Sequence, residues 1–179
     1  MTCVVGITHK SRVWIGGDSA GTAGWDQVIR VDEKVFVNGP MVFGFTTSFR
    51  MGQLLRYRLA IPDRYPDVDV MKFMCTSFVD AVRDVLKSGG FARAKDSAES
   101  GGTFLVGYQG RLFEIGSDYQ VGESVDGYGA VGCGDSYALG SLYGSTGAPE
   151  SRIEKAIEAA SYFSAGVAGP VVCVSGGEA

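Results

Sequence analysis

Met1-Thr2-Cys3-Val4-Val5-Gly6-Ile7 opens the chain, and Val13-Trp14-Ile15-Gly16-Gly17-Asp18-Ser19 follows after a polar turn. Two short apolar runs joined by His9-Lys10-Ser11-Arg12 predict a β-hairpin over residues 3–8 and 12–18. Thr2 stands at its entrance. If Met1 is removed, Thr2 carries a hydroxyl and a free α-amine on one residue, a nucleophile and a base together. An α-amine has a pKa of about 7.7–8.0, close to a working pH.

Further along, short strands are expected at Val28 to Val31, Lys34 to Val37 and Met41 to Phe45, with Gly21 to Gly24 and Asn38-Gly39-Pro40 as turns. Ser48 is placed to cap a helix running to about Ile61 before Pro62. Val68 to Lys87 carries Met71, Met74, Phe78, Val82 and Val85 at three- and four-residue steps, so it reads as a helix with a core-facing stripe. Ser88 to Gly102, rich in Gly, Ser and charge, reads as a surface loop. Strands at Thr103 to Tyr108, Leu112 to Ile115, Gln120 to Ser124 and Gly127 to Gly132 come next. Helices from Asp135 to Leu142 and Glu150 to Ser164 precede a last strand, Val171 to Val174. Strands, two helices, strands, two helices, strand is not the alternation of a parallel sheet. It fits two antiparallel sheets, each covered by a helix pair: an α/β (α+β) four-layer αββα sandwich.

With 179 residues the chain suggests one domain, 1–179, with a full core. A net charge of −4 with scattered Lys and Arg gives no basic footprint for nucleic acid. No apolar run approaches the roughly 20 residues of a membrane span, and the N-terminus lacks a charged n-region followed by an h-region, so a signal peptide is not expected. Cys3, Cys75, Cys133 and Cys173 lack metal-ligand spacing and sit in apolar or small-residue contexts. Reduced, buried thiols in a cytoplasmic protein without metal or cofactor are expected.

Two short motifs compete and lose. Gly17-Asp18-Ser19-Ala20-Gly21 matches G-x-S-x-G, but no helix follows it. The single histidine, His9, precedes the serine, against the order of a nucleophile elbow. Gly127-x-Gly129-x-x-Gly132 matches a dinucleotide fingerprint but lies in an antiparallel meander, not a βαβ unit. Asp18 and Lys34 are more telling. Each stands at the end of an apolar strand, where buried charges usually pair.

Thr2, Asp18-Ser19-x-x-Thr22-Ala23-Gly24 and Lys34-Val35, taken with their intervals, resemble the start of a proteasome β-subunit. Met41-Val42-Phe43-Gly44-Phe45 resembles the strand that ends in that family's oxyanion-hole glycine. Gly132-Cys133-Gly134-Asp135-Ser136-Tyr137-Ala138-Leu139-Gly140 resembles the stretch that opens its third helix. Thr2 directly after the initiating Met, with no propeptide and no C-terminal extension, is more similar to the bacterial HslV peptidase. The resemblance implies an N-terminal-nucleophile hydrolase: a threonine endopeptidase subunit of a self-enclosing ring. An ATP-dependent unfoldase is a possible partner. By the same resemblance Thr2 is the nucleophile, Lys34 tunes it, Asp18 orients Lys34, and the Gly44 N–H stabilises the oxyanion.

Two departures from the family stand out. Asp135 occupies the place of a serine that bonds the terminal amine; it either caps its helix or sits at the amine. Ser164 and Val167 fall where proteasome subunits carry an Asp and a Ser. Gly21, Asp32, Val42 and Thr46 correspond to the family's substrate-pocket positions, and Asp32 suggests tolerance of a basic side chain. An inactive structural ring subunit and a small-molecule amidohydrolase of the same fold are the alternatives to a peptidase.

Overall fold

The computed structural model describes residues 1–95 and 98–178. Strands β1 (Cys3–His9) and β2 (Arg12–Gly17) form the expected hairpin, pairing His9 with Arg12. Lys10 and Ser11 both take positive φ, 48° and 57°. That is the mirror-image turn whose twist matches a two-residue hairpin. β3 (Ala20–Ala23) and β4 (Asp26–Ile29) form a second hairpin, so the segment expected to be a turn at 21–24 is mostly strand. β5 (Val35–Asn38) and β6 (Met41–Phe45) follow.

Helix α1 (Phe49–Tyr57) is capped by Ser48, whose side chain accepts from the Arg50 N–H. It ends four residues before the expected Ile61. The long helical segment is interrupted: α2 (Val70–Phe73), a π-helical turn (Met74–Phe78), then α3 (Val79–Ser88). The extra residue in the wide turn shifts the apolar stripe. Phe73, Met74, Phe78, Val82 and Val85 are buried, while Cys75 is exposed.

The stretch expected to be a loop contains a small hairpin, β7 (Arg93–Lys95) and β8 (Ala98–Ser100); Asp96 and Ser97, inside it, lie outside the described residues. β9 (Phe104–Tyr108), β10 (Arg111–Ile115), β11 (Val121–Glu123) and β12 (Tyr128–Gly132) form the meander. α4 (Asp135–Gly144), α5 (Pro149–Phe163) and β13 (Val172–Gly176) complete the chain.

One sheet has the order β12-β1-β2-β13 and the other β11-β10-β9-β6-β5. All the ladders are antiparallel. Three apolar layers hold the four structural layers together. Val4, Val13, Ile15, Val35, Val42, Leu105, Leu112 and Val131 fill the space between the sheets. Phe43, Phe78, Phe104, Leu54 and Val82 join the second sheet to α1 and α3. Cys3, Val5 and Ile7 pack with Ala138, Ile153 and Ile157 under α4 and α5. The period-2 alternation of β1 sends Val4 inward and its neighbours outward, so both faces of the strand are buried. This is the expected αββα sandwich. No described helix is long and apolar enough to cross a membrane.

Candidate active site

The two sheets are tied at one end by an ion pair. Asp18 follows the last residue of β2, and Lys34 precedes the first residue of β5, so each comes from a different sheet. Lys34 Nζ donates to Asp18 Oδ1 at 2.8 Å, and the side chains are 1% and 0% exposed. The carboxylate has further donors: Oδ1 accepts from the Cys3 N–H at 2.9 Å, and Oδ2 accepts from the N–H groups of Ala20 at 3.0 Å and Ala168 at 3.3 Å. Four donors on one buried carboxylate satisfy its lone pairs and fix its plane. Burial pushes the Lys34 pKa below its ordinary value, and the Asp18 carboxylate opposes that shift.

Asp18 thereby grips the peptide that follows Thr2. Thr2 itself is 4% exposed. Its hydroxyl donates to the Met1 carbonyl, and its N–H donates to Cys133 Sγ at 3.3 Å. Its carbonyl accepts from the Gly134 N–H at 3.3 Å. The close approach of the β12 end depends on Gly132, at φ 110°. A Cβ there would lie 2.2 Å from the Thr2 carbonyl oxygen. Met1 is half exposed.

A cavity of about 490 Å³ opens beside Met1, lined in part by Thr46, Thr47, Glu114, Cys133 and Asp135. Thr47 has φ 69°, unusual for a β-branched residue, and the Ser48 N–H donates back to the Thr46 carbonyl at 2.7 Å. That is a strained γ-turn, a feature that persists where the surroundings over-determine it. Thr47 Oγ1 accepts from the Thr103 N–H at 3.1 Å and braces the turn. Among the described residues the Thr47 N–H has no acceptor.

Neither a protein-family model nor a curated protein sequence matches the chain. Solved structures do. BPH of Thiobacillus denitrificans in complex with epoxomicin superposes with a TM-score of 0.78 over 97% of each chain, at 22% identity. The eukaryotic HslV of Trypanosoma brucei gives 0.66 at 16% identity, over 97% of this chain and 98% of that one. Anbu, an ancestral beta-subunit from Yersinia bercovieri, gives 0.67 at 16% identity, over 98% of this chain and 81% of its own. The chain shares the fold of these proteasome-like proteins.

Within this fold the sequence-derived residues separate. Thr2, Asp18 and Lys34 are connected through the Cys3 N–H. Ser164 Oγ reaches Cys133 Sγ at 3.4 Å and so lies one contact from the Thr2 nitrogen. Val167, 3% exposed, packs in the layer under α5. Asp135 neither caps α4 as its N-cap, which is Gly134, nor contacts Thr2. Its carboxylate accepts from the Ser136 N–H and hydroxyl at 2.5 and 3.1 Å.

Gly44 is placed elsewhere. It lies within β6, paired with Val35 on one side and Leu105 on the other. A Cβ on it would lie 2.5 Å from Val4 and 2.6 Å from Ile15. Its lack of a side chain lets the two sheets approach, and its N–H belongs to the sheet ladder.

The pocket positions also divide. Thr46 lines the cavity beside Met1. Asp32 lines a smaller one with Phe45, Phe49 and Gly52. Its carboxylate already holds the Arg30 guanidinium in two bonds of 2.7 and 2.6 Å, which lowers its pKa. The charge suggested for a basic side chain is therefore already matched. A Cβ on Gly21 would meet Arg30. Val42 is fully buried between the sheets, and a substrate cannot reach it.

Among the cysteines, Cys3 is buried, as expected, and Cys173 partly so; Cys75 and Cys133 are exposed. Ser19 donates to the Pro170 carbonyl at 2.7 Å and is 6% exposed, a structural role. The sequence-level reading missed Cys133 and Thr47. The first was visible as the middle residue of Gly132-Cys133-Gly134. The second, a threonine at positive φ, leaves no mark in a sequence.

Proposed function

We propose that the protein is a threonine peptidase whose nucleophile is Thr2, freed by cleavage of the Met1–Thr2 bond. The observation that carries this is the buried Asp18–Lys34 pair, tied through the Cys3 N–H to the peptide that follows Thr2. Isolated charges are costly to bury, and a buried pair with this many donors one residue from a threonine suits a reaction centre.

The Thr2 amine removes the proton from Oγ as Oγ bonds to the carbonyl carbon of a peptide. Negative charge moves onto the carbonyl oxygen. The N–H of Thr47, which has no acceptor among the described residues, is the donor offered to it in place of Gly44, and the Lys34 ammonium favours the same charge. The ammonium formed on Thr2 passes its proton to the departing amine as the C–N bond breaks. An ester remains on Oγ. Water, giving a proton to the Thr2 amine, attacks that ester and releases the acid, regenerating the hydroxyl.

By analogy of fold, the subunit works within a homo-oligomeric ring on protein or peptide substrates, with an unfoldase as a possible partner. Epoxomicin, which accompanies BPH in its complex, is the probe for this site. The expected result is a protein mass lacking Met1, with one adduct mapped to Thr2. Loss of Met1 without an adduct on Thr2 favours a structural subunit instead.

A further inference from the structure

The sulfur of Cys133 occupies a slot built around the Thr2 nitrogen. It accepts from the Thr2 N–H at 3.3 Å, donates to the Thr2 carbonyl at 3.6 Å and lies 3.4 Å from Ser164 Oγ. Gly166 keeps the slot open, since a Cβ there would lie 2.9 Å from the sulfur. The neighbouring carboxylate, Asp135, is turned to Ser136 instead. Cys133 is nonetheless exposed, so reagents can reach it.

We propose, on the basis of the peptidase function above, that Cys133 is the positioning residue of the Thr2 amine and that it sets the amine's basicity. Cleavage of the Met1–Thr2 bond turns the N–H now on the sulfur into the amine that must accept a proton from Oγ. A thiol sulfur is a weak acceptor. It orients the nitrogen while stabilising the ammonium little, so free base persists to lower pH. A hydroxyl in the same place accepts more strongly and favours the ammonium. A group attached to the sulfur displaces the amine without any change at Thr2.

The test uses the full-length protein with Met1 removed. NMR titration of threonine-labelled protein gives the midpoint of the Thr2 amine in the wild type and in Cys133→Ser. The serine variant is expected to titrate higher by about half a unit, and the acid limb of kcat/KM should move the same way. Cys133→Ala, lacking the contact, should lower kcat about tenfold or more with KM kept, as expected for lost orientation. Methyl methanethiosulfonate places a thiomethyl group on Sγ through a disulfide and releases methanesulfinic acid. It should abolish turnover in a Cys75→Ser background, and dithiothreitol should restore it.

Equal Thr2 midpoints in the wild type and Cys133→Ser overturn the proposal. So does full turnover after complete thiomethylation of Cys133. Failure of the peptidase function is seen separately, as a wild-type Thr2 that epoxomicin does not modify. The amine titration needs no turnover and gives its answer in either case.

Discussion

Asp18 and Lys34 are joined by a 2.8 Å bond at the seam between the two sheets, with almost no solvent on either side chain. The pair is both a fastening of the sandwich and the electrostatic background of Thr2. Removing one member leaves the other charged in a dry environment.

Asp18→Asn is therefore expected to destabilise the fold by about 3–5 kcal/mol, the usual result of breaking a buried pair from one side. Asp18→Asn/Lys34→Met, which removes both charges, should lose less than Asp18→Asn alone. Urea denaturation of the wild type, the single variant and the double variant measures the difference. A double variant that is less stable than Asp18→Asn would contradict the coupling.

Gly44→Ala separates a packing role from a catalytic one. The added methyl would lie 2.5 Å from Val4 Cγ1 and 2.6 Å from Ile15 Cγ2. Overpacking of this kind costs about 1–3 kcal/mol. A lower denaturation midpoint with kcat retained in the folded fraction is expected. Because Ala keeps the backbone N–H, a fall in kcat of the folded variant would mean that the methyl displaces groups of the reaction centre, and would count against a purely packing role.

The layer order was legible in the sequence because strand alternation and helix periodicity act locally. The Asp18–Lys34 pair was legible too, since two charges at the ends of apolar strands have few other ways to be buried. What escaped depended on distant chain segments meeting. The β3–β4 hairpin and the π-helical turn at Met74–Phe78 carry no strong local pattern. Gly44 matched a motif by its neighbours, yet the register of β6 put it between Val4 and Ile15. Cys133 reaches Thr2 across 131 residues of sequence.

The four thiols should divide by reactivity. Cys75 and Cys133 are exposed and should be alkylated in the folded protein. Burial, with the charge of Asp18 second, pushes the Cys3 thiol up to about 12; burial, with Glu150 second, pushes Cys173 up to about 11. Both should resist alkylation at pH 8 until denaturant is added. Raised thiol pKa values contribute fully below the ordinary 9.0. That contribution is lost between pH 9 and about 12, as the unfolded chain ionises first. Peptide mapping after iodoacetamide treatment checks the reactivity, and unfolding midpoints across that range check the sign.

Glu114 stands between the cavity beside Met1 and a second one of about 330 Å³. Its pKa is raised, first by burial of its carboxyl and then by the charge of Asp135, although the residue as a whole is exposed. Solvent screening keeps the effect modest, but the sign is definite. A raised carboxyl pKa favours the protonated fold, so its contribution is present below the ordinary 4.5 and is lost as pH rises through the folded value. Glu114→Gln should consequently be at least as stable as the wild type at pH 7, with the advantage vanishing below pH 4. Asp135→Asn removes the second cause and should lower the Glu114 midpoint in a carboxyl NMR titration. An unchanged midpoint would show that the two carboxylates do not sense each other across the cavity, and that burial alone sets the Glu114 pKa.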